Sequence, residues 1–245
     1  MDPEPGPPGS RRLSTGHVVT YPLEVEATIG GVILPARRSA LEAVLPADLE
    51  PVPLGPGIGA VVLAGVSYHH VGVEGIDPYD EFAVIVPTLD GGWPSLRHLP
   101  ALANRLGGYV HWLPVTSEAS VALGRECWGY PKELATISVT DGPRSIRTTL
   151  ETAQGTCHLE APRSRLGRTP RREWALTSYT DAGDRRQAAD TVLAGGIAHT
   201  PAVEASASWP STLEPLARLE MWPRPLVAIT GSRVTGRIHQ GRFAR

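Results

Sequence analysis

Lysine is almost absent from this chain. Of its 23 basic residues only Lys132 is a lysine, and every other one is arginine. A genomic preference for arginine codons accounts for the general scarcity but not for the exception. Arginine stays protonated and cannot serve as a free amine, whereas an amine nucleophile must be lysine. The scarcity therefore marks Lys132 as a functional candidate. Cysteine is scarce too. Cys127 and Cys157 cannot make a disulfide framework, and both are expected as free thiols. No apolar run is long enough to cross a bilayer, and the opening MDPEPGPPGSRR lacks the apolar core of a secretory leader. The expected location is cytoplasmic. A formal net charge of -2 gives no electrostatic case for nucleic acid or an anionic membrane. No Gly-rich loop joins a strand to a helix, and no Gly-x-Ser-x-Gly occurs, so neither a nucleotide site nor a serine hydrolase is expected. His69 and His70 point to opposite faces of one strand, so no metal site is expected.

With 245 residues, 41% hydrophobic and 20% charged, the chain has the composition of a globular protein with a real core. Residues 1–16, rich in Pro, Gly and Arg, are expected to be a disordered tail, and 17–245 a single domain. From Leu23 the chain alternates: Leu23, Val25, Ala27 and Ile29 on one face, Glu24, Glu26 and Thr28 on the other. That pattern predicts a half-buried strand, with Gly30-Gly31 as a turn or bulge. Ser39-Ala40-Leu41-Glu42 has the capping-box pattern of a short helix that Pro46 stops. Further strands are expected over 61–73, 82–89 and 109–115, with a helix over 96–106 ended by Gly107-Gly108. Ser117 caps a helix that has Gly124 near its end. A hairpin follows over 134–140 and 145–151, and 163–172 reads as an exposed loop. Later strands are expected over 173–179, 191–199, 216–222 and 225–237. Strands dominate and connections are short. The expected fold class is α+β, mainly β: an antiparallel barrel with a few short helices.

The informative stretch is Gly124-Arg125-Glu126-Cys127-Trp128-Gly129-Tyr130-Pro131-Lys132-Glu133-Leu134. A helix ends, an aromatic turn follows, and the lone lysine appears just before a strand. Pro131 holds Tyr130 extended and fixes the approach to Lys132. Here the sequence resembles the acetoacetate decarboxylase superfamily, in which a Gly-Arg-Glu element and an aromatic spacer precede Pro-Lys. Pro78-Tyr79-Asp80-Glu81 is similar to the family's Tyr-x-Glu segment. Gly108-Tyr109-Val110-His111 is similar to the strand before the lysine helix, and the helix ending at Pro46 also fits.

The resemblance implies a cone-like β-barrel, a homo-oligomer and a keto-acid substrate. It implies catalysis by a Schiff base on Lys132 with Glu81 as the active-site carboxylate, and no cofactor or metal. Trp128, Tyr130, His111 and Arg125 are the candidate substrate-binding residues. His111 and Arg125 also have bland readings, as a packed strand histidine and a structural charge. The chain departs from the family at three places. Glu133 stands where the decarboxylases carry a second lysine. Ungapped counting puts Ala27 at their arginine and Val66 at their second glutamate. These departures favour aldol or dehydration chemistry over acetoacetate decarboxylation, with a non-catalytic small-molecule-binding barrel as the alternative.

A free lysine has a pKa of about 10.4, so only roughly one in 2,500 is uncharged at pH 7. Burial disfavours the ammonium form, and a fall to about 7 would enrich the nucleophile about a thousandfold. The sequence expectation is therefore a lowered lysine; the family's namesake is itself a standing example of a lysine activated in an apolar pocket or beside a cation.

Overall fold

The computed structural model describes residues 9–89, 106–164, 169–182 and 185–243. Its main elements are β1 (Leu23–Arg37), α1 (Arg38–Val44), β2 (Ile58–Val71), β3 (Tyr79–Leu89), β4 (Leu106–Val115), α2 (Glu118–Trp128), β5 (Arg172–Ala182), β6 (Arg185–Gly195), α3 (Glu214–Ala217) and β7 (Val227–Ile238). The seven long strands pair in the order β7-β1-β2-β3-β4-β5-β6. The sheet closes on itself where Thr191–Ala194 of β6 pair with Thr235–Ile238 of β7. A closed sheet has no unpaired edge, which suits long apolar strands.

One junction departs from the antiparallel expectation. Thr177–Tyr179 of β5 run parallel to Gly107–Tyr109 of β4. Parallel neighbours need a long crossover. Here the chain leaves the barrel after β4, builds α2 and a second sheet, and re-enters in the same direction. That second sheet contains Thr136–Asp141, Ser145–Thr152, Gly155–Pro162 and Ser206–Ser208.

Alternation along the strands divides the apolar residues between two interiors. Val32, Leu34, Leu63, Phe82 and Val84 face outward and form the main core with Ile137, Leu150 and Leu159 of the second sheet. The opposite residues of the same strands face the barrel lumen. Gly30 and Gly31 form neither the turn nor the bulge expected from sequence, but pair in regular register within β1. A Cβ on Gly30 would fall 2.4 Å from Ile146 Cγ2, so the glycine lets the outer sheet approach.

Other expectations shift for local reasons. Helix α1 starts at Arg38 rather than being capped by Ser39; its N-cap Arg37 makes no side-chain cap bond, and Arg38 pairs with Glu42 at 2.7 Å instead. The helix expected over 96–106 lies outside the described residues, apart from Leu106, which begins β4. The strand expected over 216–222 is not formed; α3 occupies its start, with a proline in its first turn. The strands Gly155–Pro162 and Ser206–Ser208 escaped the sequence reading. Residues 9–16, expected as disordered tail, are part of the fold. Ser10–Arg12 pair with Val18–Thr20, and Leu13 is buried with Leu23, Leu123 and Trp128. Cys127 and Cys157 are free and buried. No helix among the described residues is long and apolar enough to cross a membrane.

Candidate active site

Two hydrogen-bond patterns fix the lysine's backbone. Helix α2 opens with Ser117, whose side chain accepts from Ser120 N, and closes at Gly129 in the left-handed conformation (φ 64°). The chain then turns through Tyr130 and Pro131, and the strand Lys132–Leu134 adds in parallel to β4. Arg125 Nε donates to the carbonyl of Lys132 at 2.7 Å, tying helix to strand. Gly124 lies inside α2, not at its end. A Cβ there would sit 2.4 Å from Cδ and 2.7 Å from Cε of Lys132. The glycine, unfavourable within a helix, makes room for the lysine stem.

Lys132 is 4% exposed and Glu81 5%. Nζ lies 2.8 Å from Glu81 Oε2, donates to Ser120 Oγ at 3.0 Å and to Tyr79 OH at 3.3 Å. An ammonium has three donors, and all three are accounted for. Oε2 of Glu81 has no hydrogen-bond partner apart from that ammonium, while Oε1 faces Tyr68 OH at 3.5 Å. Tyr68 and Tyr79 stack with ring centroids 4.6 Å apart. In Pro78-Tyr79-Asp80-Glu81, alternation sends Tyr79 and Glu81 inward. Asp80 points outward, where Oδ2 accepts from Val139 N at 2.9 Å.

The lysine is not depressed. Burial, the largest influence, pulls its pKa down, but the buried Glu81 carboxylate, joined by Tyr79, more than offsets that, and the net direction is upward. The sequence expectation counted the desolvation of one charge, and the fold buries its counter-charge beside it. The tyrosines are held neutral. Burial first, then the Glu81 charge, pushes Tyr68 well up; burial also raises Tyr79 and pushes Tyr130 up to about 12.

These groups open onto a cavity of about 280 Å³ in the barrel lumen, walled mostly by aliphatic residues. Trp128 and Tyr130 line it, stacked at 5.6 Å. Tyr130 OH shares a hydrogen bond with Ser178 Oγ at 2.7 Å. Ala27 and Val66, where the resemblance leads one to expect an arginine and a glutamate, both line the same cavity. Glu133 faces away, as its neighbour in a strand must, and accepts from Trp112 Nε1.

Two candidates lie elsewhere. Arg125 is exposed and grips the lysine backbone from outside. His111 sits at an irregularity where Val84 pairs with Trp112 but Ile85 with Val110. Val110 and Leu113 both line the cavity, so the two residues between them, His111 and Trp112, lie together on the outer side, and His111 Nε2 meets the carbonyl of Pro215 at 2.9 Å. Burial lowers its pKa. Glu126 ties down the N-terminal segment, accepting from Ser14 N.

Ser120, absent from the sequence candidates, has its own consequence. Losing a hydrogen bond to a charged group costs about 1.5–3 kcal/mol. Ser120→Ala should therefore lower the protonation midpoint of Lys132 by about one pH unit or more. With one lysine in the chain, [13Cε]lysine labelling gives a single NMR signal whose titration measures this directly. An unchanged midpoint would remove Ser120 from the lysine's environment.

The family model described as acetoacetate decarboxylase (ADC) matches residues 9–181. A relative from Mesorhizobium japonicum, acetoacetate decarboxylase 3, is 32% identical over 124 residues, which is 49% of this chain and only 40% of that protein's length. Among solved structures, an acetoacetate decarboxylase from Legionella pneumophila superposes with a TM-score of 0.63 at 18% identity, covering 91% of this chain and 87% of that one. The enduracididine biosynthesis enzyme MppR, complexed with the condensation product of pyruvate and imidazole 4-carboxaldehyde, superposes with the same score at 14% identity, covering 92% and 90%. At those identities the structures establish the fold alone.

Proposed function

Because this chain belongs to the acetoacetate decarboxylase family, we propose that it is a carbon–carbon lyase that acts on a small keto acid through an imine on Lys132. The observation that carries this reading is the chain's single lysine, buried in an apolar cavity with Nζ 2.8 Å from the buried Glu81 carboxylate.

The sequence of steps balances without any cofactor. A carbonyl compound enters, and the Lys132 proton passes to Glu81, which leaves two neutral groups in place of a buried ion pair. The amine adds to the carbonyl carbon, Glu81 returns its proton to the departing hydroxyl, and water leaves to give the iminium, which draws electrons from the adjacent bond. Loss of a proton to Glu81 gives an enamine. The enamine attacks an aldehyde, whose oxygen takes the proton held by Glu81, and the new hydroxyl either stays or, after loss of a second α-proton, leaves as water. Water then hydrolyses the imine. A β-keto acid would instead lose carbon dioxide from the iminium.

Ala27 and Val66 in the wall favour the aldol or dehydration branch, because the lining of the described residues offers a substrate carboxylate no fixed cation besides the lysine. The pyruvate-derived condensation product carried by MppR supports the same branch. The second reading, a binding barrel without chemistry, is favoured by one observation: the ion pair with Glu81 favours the protonated amine.

Incubation with pyruvate and borohydride distinguishes the two. The expected result is one reduced adduct per chain, mapped to the peptide carrying Lys132. The α-amino group of the N-terminus is the competing amine, so mapping decides. An adduct confined to the N-terminus, or none, would leave the binding reading.

A further inference from the structure

The cavity wall formed by β1, β2 and β3 is layered by register. Ala27, Tyr68 and Tyr79 lie side by side in one row, and Ile29, Val66 and Glu81 in the next. The row after that is Gly31, Ala64 and Ala83, followed by one that contains Val62 and Ile85. All of these residues line the cavity. Bulk thus falls to its minimum one row beyond the carboxylate and rises again after it. The small row is fixed on one side, because a Cβ on Gly31 would meet the Leu63 carbonyl oxygen at 2.9 Å. Ala64 and Ala83 are buried and leave the remaining space.

The geometry points to this notch as the specificity pocket for an apolar tail on the substrate: an unbranched aliphatic chain or a flat aromatic ring joined to the carbonyl-bearing carbon skeleton. Successive rows on one strand face are about 6.6–6.8 Å apart. Glu81 touches the lysine, so a group on the imine carbon that passes Glu81 reaches the notch with about the length of a linked aryl ring. The walls there are the methyls of Ala64 and Ala83 and the side chains of Val62 and Ile85. None of these bears a polar group, and the hydroxyl of Tyr130, which packs against them, is already bonded to Ser178 Oγ, so a charged or hydroxylated tail would lose its hydration without compensation. A short keto acid leaves the notch unfilled. This assignment rests on imine formation at Lys132.

The test compares borohydride trapping of pyruvate with that of 2-oxo-4-phenylbutanoate, which shares the reacting end and adds the tail. Wild type should half-saturate with the phenyl compound at least about tenfold lower than with pyruvate, the range that small changes in an apolar pocket produce. Ala83→Leu and Ala64→Leu should erase that preference while pyruvate trapping stays within about threefold of wild type, which also shows that the variants fold. If added bulk unfolds both, Ala83→Gly runs the test in the other direction. Its preference must extend to a naphthyl tail that wild type traps poorly. Trapping of both compounds with a preference that ignores all three substitutions overturns the notch alone. Absence of any Lys132 adduct in wild type overturns the imine reading, and the notch with it.

Discussion

Glu81→Gln should reverse the way the protein's stability responds to pH. In the wild type, Lys132 binds its proton more tightly in the folded chain than in the unfolded one, because the Glu81 carboxylate offsets the burial. The sign follows from linkage. Stability gained this way is complete below the ordinary lysine range and is lost as pH rises above it. The neutral amide would remove the main offset to burial and leave only the hydrogen bonds to Ser120 and Tyr79 against it, so the folded-state proton affinity falls below the unfolded value of about 10.4. Between those two values the unfolded chain binds more protons, and stability then rises with pH. Each tenfold change in proton affinity is worth about 1.4 kcal/mol. Removing one partner of a buried pair costs about 3–5 kcal/mol where the other stays charged, so the variant should be weakest at neutral pH and recover toward pH 10.

The same substitution should separate two chemical steps. A less protonated amine forms the imine more readily at neutral pH, so trapping should persist. Enamine formation, which needs the carboxylate to take the α-proton, should slow by about 100-fold or more. Deuterium uptake at the methyl of pyruvate reports that step. Chemical denaturation at several pH values and the single [13Cε]lysine signal report the rest. A lysine that titrates as in wild type, with deuterium uptake intact, would reduce Glu81 to a bystander.

Much of the site was legible in the sequence because its parts obey short-range rules. The alternation from Leu23 to Ile29 puts on one strand face four residues that in the fold line the cavity. The Tyr-x-Glu spacing places Tyr79 and Glu81 on one strand face, and the scarcity of lysine isolates Lys132. The state of that lysine was not legible. It depends on Glu81, which reaches it only after β3, β4 and α2 have packed. Ser120 left a weaker signal: Ser120, Gly124 and Trp128 recur at helical spacing on one face of α2, and the two small residues among them leave space for something else. Arg125 misled because it sits next to Gly124 in sequence, whereas adjacent residues of a helix point in different directions. His111 misled because a bulge, which alternation cannot foresee, places it together with Trp112 on the outer side, between the lumen residues Val110 and Leu113. Glu133 looked like a reversal of charge beside the lysine. Strand alternation already implied that it faces the other way, and it does.

Gly124→Ala should cost about 100-fold or more in trapping rate, although the same change in an ordinary helix is beneficial. Alanine is favoured over glycine inside a helix by up to about 1 kcal/mol, and Gly124 has no positive φ that would demand glycine. The objection comes from the lysine. The new methyl would lie 2.4 Å from Cδ, 2.7 Å from Cε and 3.0 Å from Cγ of Lys132. That stem cannot swing freely. Its backbone is held by the strand pairing with β4 and by Arg125, and its tip by Glu81, Ser120 and Tyr79. Either the helix moves away from the strand or the stem bends and Nζ leaves its partners. Both displace the amine by about 1 Å, a misplacement that costs on the order of 10² in rate when groups must meet in one geometry. Bending also leaves Glu81 and the ammonium buried at a longer distance, so the propensity gain should not appear as added stability. The measurements are the trapping rate with pyruvate, the melting temperature and the position of the [13Cε]lysine signal. An alanine variant that melts higher than wild type, with unchanged trapping and an unmoved signal, would show that the stem has room to spare and that Gly124 is not there to accommodate it.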